Sequence, residues 1–308
     1  MWPNFGVKLE EGWMSVVRNG DRIDLAHVIR PAGKCPEIQL CESFRIEKDE
    51  RDALSRLAQS RGLKRYRCAT LLGDAEYRLV QIEAPAVPPE ERLQALRWRL
   101  KDVVDFSVEG AAIAVADIPV EGSRQASVFA VVAPQAAVGE RMSLFHGSKV
   151  PLEAIDIPEM AVRNVAVLFE EPNRGLAFLV LTKGDGLLTI TYRGELYLSR
   201  RIEVSSAALA EADQERRQQM LERLALELQR TFDNFDRQYG FISVSRLLVA
   251  SEADCAGVVA ALGQNLYLPV QLADLGQVAE FNTLPELRSA ERQAQSLLAI
   301  GTALRTAV

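Results

Sequence analysis

The chain has 308 residues, of which 48% are hydrophobic and 25% are charged, and its net charge is -6; these values predict a globular protein of two domains or one large α/β unit. No long basic run occurs, which argues against a nucleic-acid partner. The four cysteines form no Cys-x-x-Cys pair and only two histidines are present, which argues against a metal site and a cysteine nucleophile. No apolar run is long enough for a transmembrane helix and the amino terminus has no signal-peptide pattern, so we expect a cytoplasmic protein.

Turn residues and hydrophobic periodicity divide the first 150 residues into a β-meander and a mixed helix–strand region. Asn19-Gly20 is a strong hairpin signal. The predicted meander strands cover residues 5–9, 13–17 and 23–29. Strands over residues 66–72 and 77–83 are expected to pair across Gly73-Asp74. Further helices are predicted over residues 48–62, 88–106 and 134–145, and further strands over residues 111–118 and 128–133.

The stretch from residue 175 to 203 organises the second half, which begins near residue 151. It predicts three short strands joined by two tight turns, with Gly184 and Gly186 supplying the positive φ that a hairpin turn needs. The first strand is apolar throughout, so we expect both of its faces to be buried. The other two contain Thr, Tyr and Arg, so we expect each of them to have one wetter face.

The longest helical pattern covers residues 206–239, and its apolar stripe predicts a helix that packs on a sheet; a free coiled-coil arm is the alternative. The other predicted elements of this half are strands over 154–157, 245–250 and 267–271 and helices over 158–169, 254–262 and 290–304. Each half therefore has a three-stranded antiparallel unit followed by helices and parallel strands, which indicates a duplicated architecture.

Several stretches, taken together and in order, resemble the PilM family of type IV pilus assembly proteins. Residues 90–98, continuing to Asp105-Phe106, resemble the Glu-rich helix that leads into that family's inserted subdomain. Residues 154–157 resemble the segment that opens its second lobe, and residues 298–305 resemble its closing helix. Within the family, the similarity is to the MshI branch of MSHA-type pilus biogenesis.

The resemblance implies an actin-like (ribonuclease H-like) α/β fold of two lobes, related to the cell-division protein FtsA. It places the first lobe at residues 1–150, with an inserted α/β subdomain at about 37–118, and the second lobe at 151–308. The closing helix, residues 288–306, is then expected to return towards the first lobe.

The resemblance also implies a partner: the cytoplasmic tail of a PilN-type inner-membrane protein, bound between the first lobe and its inserted subdomain. A pilus-assembly ATPase complex is a second candidate partner. The chain would reach the inner membrane only through its partners. The resemblance also implies a role related to that of the cytoplasmic part of GspL. The residues expected to line the groove are Leu93, Leu96, Trp98 and Phe106. Tyr66, Tyr77 and Trp98 are either core residues or part of this groove.

Three nucleotide-binding patterns of actin-like proteins are altered in this sequence. In the first, aligned with residues 6–12, Lys8 stands where a metal-organising Asp is expected and Glu10 where a close-approach Gly is expected. In the second, Leu181 replaces the leading Asp, although Lys183 and Gly184 can still hold an anion. In the third, Ser251-Glu252 replaces a Gly-Gly pair.

These departures predict a protein without catalytic residues, bound cofactor or metal. The expected function is a non-catalytic cytoplasmic scaffold of a pilus inner-membrane complex. The alternative is an actin-like ATPase that binds ATP with Mg²⁺ and regulates pilus or type II secretion assembly. A kinase-like enzyme of the same fold would need a catalytic Asp between the lobes, and no motif in the sequence places one.

Overall fold

The structure is a computed structural model that describes residues 9–120 and 125–306. Its strands are β1 (Trp13–Asn19), β2 (Arg22–Ile29), β3 (Glu37–Arg45), β4 (Arg67–Leu71), β5 (Arg78–Glu83), β6 (Ala112–Ile118), β7 (Ser127–Ala133), β8 (Leu152–Asp156), β9 (Gly175–Leu181), β10 (Gly186–Tyr192), β11 (Glu195–Ile202), β12 (Val244–Ser251) and β13 (Val270–Leu272). Its helices are α1 (Glu50–Ser60), α2 (Pro89–Leu100), α3 (Gln135–Gly147), α4 (Pro158–Ala166), α5 (Ser206–Glu211), α6 (Gln214–Gln238), α7 (Cys255–Asn265) and α8 (Ala290–Ala303).

The first sheet has the strand order β3-β2-β1-β4-β8. The predicted hairpin is confirmed, because Asn19 pairs with Arg22 and Gly20 takes a φ of 61° in the two-residue turn between them. The third strand of the meander is β3, which lies in a region that we had predicted to belong to the inserted subdomain. The strand predicted over residues 5–9 lies outside the described residues except for Leu9, which is not in a strand.

The second sheet has the order β11-β10-β9-β12-β13, and the three predicted strands and two turns of its antiparallel part are confirmed. Two details differ from the prediction. All of β10 is buried, including its threonines, because helices cover both faces of this sheet. Neither Gly184 nor Gly186 has a positive φ. Gly186 is needed for packing instead, since a Cβ there would lie 2.9 Å from the Ile202 Cβ.

The inserted subdomain is a three-stranded sheet, β5-β7-β6, with α2 on one face. It covers residues 78–133 and not 37–118, because β3 and β4 pair within the first sheet. The predicted hairpin between residues 66–72 and 77–83 is wrong, since β4 runs parallel to β1 and β8 whereas β5 pairs with β7. The first sheet also includes β8, so the boundary between the lobes follows residue 156 and not residue 150.

Helices α4 and α8 lie between the two five-stranded sheets. Alternate residues of β1 and β9, such as Val17 and Phe178, point towards these helices and share one apolar core with them. The opposite face of the first sheet packs on α1 and α3. The opposite face of the second sheet packs on α6 and α7, which confirms the predicted packing of the long helix on a sheet.

The closing helix α8 contacts β1 and β2 of the first sheet as well as α4. We call the first sheet, its outer helices and the inserted subdomain the first lobe, and the second sheet with α6 and α7 the second lobe. Among the helices in residues 9–120 and 125–306, none combines the length and the apolar character needed to cross a membrane.

Replacement of Gly301 by Ala is expected to destabilise the protein. Gly301 in α8 lies against the backbone of α4, and an added Cβ would come within 2.7 Å of the Ala161 carbonyl carbon. Overpacking of this kind lowers the free energy of unfolding by about 1–3 kcal/mol, which urea denaturation would measure.

Gly139→Ala in α3 is the matched control, because an added Cβ there meets no atom within 4 Å. Helix propensity then acts alone, and this change is expected to raise the free energy of unfolding by roughly 0.5–1 kcal/mol. Equal stabilisation by both changes would contradict the close approach of α4 and α8.

Candidate functional site

A cleft of about 610 Å³ lies between the two lobes. It is found at the carboxyl ends of β1, β4 and β9, where parallel strands of open α/β sheets leave room for ligands. Its walls are the β1–β2 turn, the segment that follows β4, the β9–β10 turn and parts of β11 and α8.

The β1–β2 turn is tied to the first sheet and to α8. The Asn19 side-chain amide donates to the Asp24 carboxylate at 2.9 Å and to the Gln295 carbonyl at 3.4 Å. The buried Asp24 also accepts a hydrogen bond from the Ser43 hydroxyl. This turn is therefore held in place by side chains of the protein itself.

The β9–β10 turn uses its own backbone amides. The N–H groups of Gly184 and Asp185 both donate to the Thr182 Oγ1 at 3.2 Å. The Thr182 hydroxyl in turn donates to the Asp185 carboxylate at 2.8 Å. Turns that bind phosphate do so with free N–H groups, and here two of these groups already have a partner within the turn.

Arg201 of β11 is surrounded by acceptors from both lobes. Its guanidinium lies 2.6 Å from the carboxylates of Asp185 and Asp74, 3.1 Å from that of Glu159 and 2.7 Å from the Tyr77 hydroxyl. Burial alone would favour the neutral guanidinium, but the surrounding acidic groups outweigh it and raise the pKa of Arg201. Arg201 is therefore a permanent cation at this position.

Tyr77 and Glu159 are buried together beside Arg201. The Tyr77 hydroxyl donates to the Glu159 carboxylate at 2.5 Å. Burial, followed by the negative charge of Glu159, raises the pKa of Tyr77 far above its ordinary value. The phenol is thus a permanent hydrogen-bond donor to Glu159.

A second ion-pair group lies on the first-lobe side of the cleft. Arg141 of α3 is buried and contacts Glu50 at 3.0 Å and Glu76 at 2.9 Å, and Glu50 also contacts Arg18 at 3.1 Å. Basic and acidic side chains are balanced over the whole lining. It has five of each: Arg18, Arg22, Arg141, Lys183 and Arg201 against Asp21, Asp24, Asp74, Glu76 and Asp185. The lining residues thus supply no excess positive charge for a polyanion.

The structure places four of the six predicted nucleotide-site positions at or beside this cleft. Lys183 and Gly184 line it. Ser251 is the last residue of β12 and Glu252 follows it. The Glu252 carboxylate, only 4% exposed, lies 3.7 Å from the Arg22 guanidinium. Burial raises the pKa of Glu252, while Arg22 and Lys183 oppose that rise.

The predicted first phosphate turn needs correction. Lys8 lies outside the described residues. Glu10 lies at the opposite end of β1 from the cleft, where its N–H donates to the Arg65 carbonyl at 2.7 Å. The turn at the cleft is Gly20-Asp21, so the alignment over residues 6–12 is one strand too early. The Asn19-Gly20 hairpin signal would have identified the correct turn.

The residues predicted to line a partner groove are not on one surface. Leu96 is fully buried in the core of the inserted subdomain, and Phe106 is half-buried against that core. Leu93 and Trp98 of α2 are exposed, with Trp98 showing 67% of its surface. The alternatives left open for the two tyrosines are decided in favour of packing, because Tyr77 is buried and Tyr66 lies half-buried against His27.

No family model matches the sequence, and no curated protein matches it. Comparison of solved structures finds a chain of the PilM-PilN type IV pilus biogenesis complex, with a TM-score of 0.73 and 20% identity over 95% of this chain and 98% of that one. The cytoplasmic domain of EpsL, an inner-membrane component of the type II secretion system of Vibrio cholerae, matches with a TM-score of 0.51 and 12% identity over 94% of each chain.

A Bacteroides thetaiotaomicron protein described as having an actin-like ATPase fold and unknown function also matches, with a TM-score of 0.51 and 10% identity over 94% of this chain and 99% of that one. These likenesses confirm the predicted actin-like α/β fold. Sequence identities of 10–20% establish the fold alone. Among actin-like folds, the fold of this chain is PilM-like.

Glu252→Gln is expected to change how stability depends on pH. The ordinary pKa of this side chain is 4.5 and burial raises it in the folded chain, so the folded state holds the proton more tightly than the unfolded state. The resulting stabilisation is fully present below pH 4.5 and is lost as the pH rises through the folded pKa. The difference in unfolding free energy, wild type minus variant, should therefore fall with rising pH in urea titrations.

Glu203→Gln provides the control, because the Glu203 side chain is 89% exposed and has little burial cost. Its difference from the wild type is the baseline with which the Glu252→Gln difference is compared. A Glu252→Gln difference that is the same at every pH would contradict the burial effect.

Proposed function

We propose that this chain is a non-catalytic cytoplasmic scaffold of a type IV pilus inner-membrane assembly complex, which captures the cytoplasmic tail of a PilN-type membrane protein. The main support is the structural match to a chain of the PilM-PilN complex. This match extends over nearly the whole of both chains. The match to the EpsL cytoplasmic domain supports a role on the cytoplasmic side of an inner-membrane assembly. The MSHA-type system is our proposal for the specific pilus, based on the sequence resemblance.

The lack of catalysis is supported by the cleft between the lobes. Two amides of the β9–β10 turn are partnered by Thr182, and the lining has equal numbers of basic and acidic side chains. Glu252 adds a buried carboxylate where a Gly-Gly pair was expected to admit a purine. These residues do not fit a magnesium nucleotide, so the proposed function has no nucleotide-dependent step.

A regulatory actin-like ATPase is the second candidate. It is favoured by the volume of the cleft, about 610 Å³, which is within the usual range for small-molecule sites. Lys183 and Gly184, the two positions that the sequence leaves able to hold an anion, lie in its wall.

The inserted subdomain offers two features suited to an extended peptide. The outer face of α2 carries the exposed Trp98, with the Lys101 ammonium 5.8 Å from its ring, and exposed aromatic side chains often anchor partners. Strands β5 and β6 are the edges of the three-stranded sheet, where a peptide can pair by strand addition.

A pilus-assembly ATPase complex would be a further partner, and membrane association would occur through partners only.

Trp98→Ala is expected to weaken binding of a fluorescent peptide from the cytoplasmic tail of the PilN-type protein. Loss of a central aromatic anchor costs about 2 kcal/mol, or roughly a 30-fold rise in Kd. Fluorescence anisotropy would measure this rise.

Tyr267→Ala is the matched control, because Tyr267 is a similarly exposed aromatic residue on the second lobe. It should leave the Kd unchanged. Absence of saturable binding by the wild type would contradict the proposed partner, whereas equal binding by wild type and Trp98→Ala would contradict only the position of the anchor.

Titration of the protein with ATP and Mg²⁺ in a calorimeter is expected to show no saturable binding of ATP with a Kd of about 1–100 μM. The reason is that the turn amides and the charge of the cleft do not favour a triphosphate. The tail peptide, titrated into the same sample, serves as the positive control. Saturable binding of ATP would reject the non-catalytic scaffold and favour the second candidate.

A further inference from the structure

We infer that Arg201 is a built-in cation that latches the two lobes together across the cleft, so that closure of the cleft needs no bound nucleotide. We call Arg201 with Asp74, Tyr77, Glu159 and Asp185 the Arg201 latch. The Arg201 latch acts on the cleft, whichever partner the protein binds.

The latch joins parts of the chain that belong to different lobes. Arg201 on β11 and Asp185 in the β9–β10 turn are second-lobe residues, and their side chains lie 2.6 Å apart. Asp74 and Tyr77, in the segment that follows β4, are first-lobe residues at 2.6 Å and 2.7 Å from the same guanidinium nitrogen. Arg201 therefore makes a direct polar contact across the gap between the lobes.

One cation holds three carboxylates at this point. The planar guanidinium carries five N–H donors and can serve several acceptors at once, which a lysine ammonium does less well. Burial raises the pKa of Asp74 above its ordinary value, Arg201 opposes that rise and the nearby Asp185 adds to it. Without Arg201, carboxylates from opposite lobes would repel each other. This one side chain therefore decides whether the contact between the lobes is attractive or repulsive.

The latch also forms a wall of the cleft. Arg201 and Asp74 line both the main cleft and a second depression of about 410 Å³ next to Tyr77 and Arg200. Separation of Arg201 from Asp74 would connect the two spaces. Because the Arg201 side chain is 36% exposed and that of Asp74 55% exposed, water can reach the pair without unfolding of either apolar core.

The latch further fixes the inserted subdomain, because Tyr77 directly precedes β5. The subdomain has a second tie to the second lobe, in which the Gln81 side-chain amide donates to the Tyr239 hydroxyl at 2.9 Å. Opening of the latch would thus release both the first lobe and the start of the inserted subdomain from β11.

The test compares Arg201→Met with Arg200→Met in the full chain. Methionine keeps an unbranched apolar stem and removes the charged guanidinium. Arg200 is the matched control, because it is the neighbouring residue on β11 but contacts Glu227 at 3.0 Å within the second lobe. Spin labels at Gln59 of α1 and Asn234 of α6, in a Cys35→Ser background, would report the distance between the lobes; Cys35 is the exposed cysteine among the four.

Arg201→Met is expected to shift the label distance or broaden its distribution, and to raise hydrogen exchange of residues 73–83 by about tenfold. Arg200→Met should match the wild type in both measurements. Identical results for Arg201→Met and Arg200→Met would overturn the latch.

Asp74→Asn keeps the test decisive if Arg201→Met does not fold. It changes a half-exposed residue and removes the first-lobe carboxylate, so it should reproduce the shift in label distance. A wild-type distance in Asp74→Asn would overturn the latch, since the ion pair between Arg201 and Asp74 would then not hold the lobes together. Tail-peptide binding is measured on the same samples. Absence of binding by the wild type would contradict the proposed function, whereas an unchanged label distance would contradict only the latch.

Discussion

Burial of both sheets against the same two helices is the constraint on which the rest of the structure depends. Side chains alternate along a strand, so each sheet directs one set of apolar residues towards α4 and α8 and the other set towards its outer helices. The two helices approach so closely that Gly301 of α8 leaves no room for a side chain next to Ala161. This packing brings the carboxyl ends of the parallel strands of both lobes to one cleft.

The chemistry of that cleft differs from what its position suggests. A cleft at strand ends, with glycine-bearing turns on either side, is a natural place for phosphate. Here Thr182 caps one turn, Asn19 ties the other to Asp24 and α8, and Arg201 occupies the space between acidic groups of the two lobes. A cation fixed to the protein thus lies in the wall of the cleft, and the proposed latch is based on this arrangement.

Among the large apolar side chains of residues 9–120 and 125–306, Trp98 of the inserted subdomain is the most exposed. The other face of this subdomain packs on the second lobe, where Phe129 and Ile118 enter the core around α6. A partner bound to this subdomain would therefore contact an element that both the core of the second lobe and the Arg201 latch hold in position. Under the two proposals, β5 would connect partner capture with closure of the cleft.

The sequence by itself determined the local elements, because period, turn residues and helix ends are properties of neighbouring residues. Strands β9 to β11, the Asn19-Gly20 turn and the long helix were predicted for this reason, and a family resemblance supplied the actin-like fold. Only the tertiary structure decided that β3 and β8 belong to the first sheet, and that Leu96 is core whereas Trp98 is exposed. It alone revealed the contacts of Arg201, whose partners Glu159 and Tyr77 lie 42 and 124 residues away. Contacts over such separations depend on how the sheets pack, and no local pattern of residues encodes them.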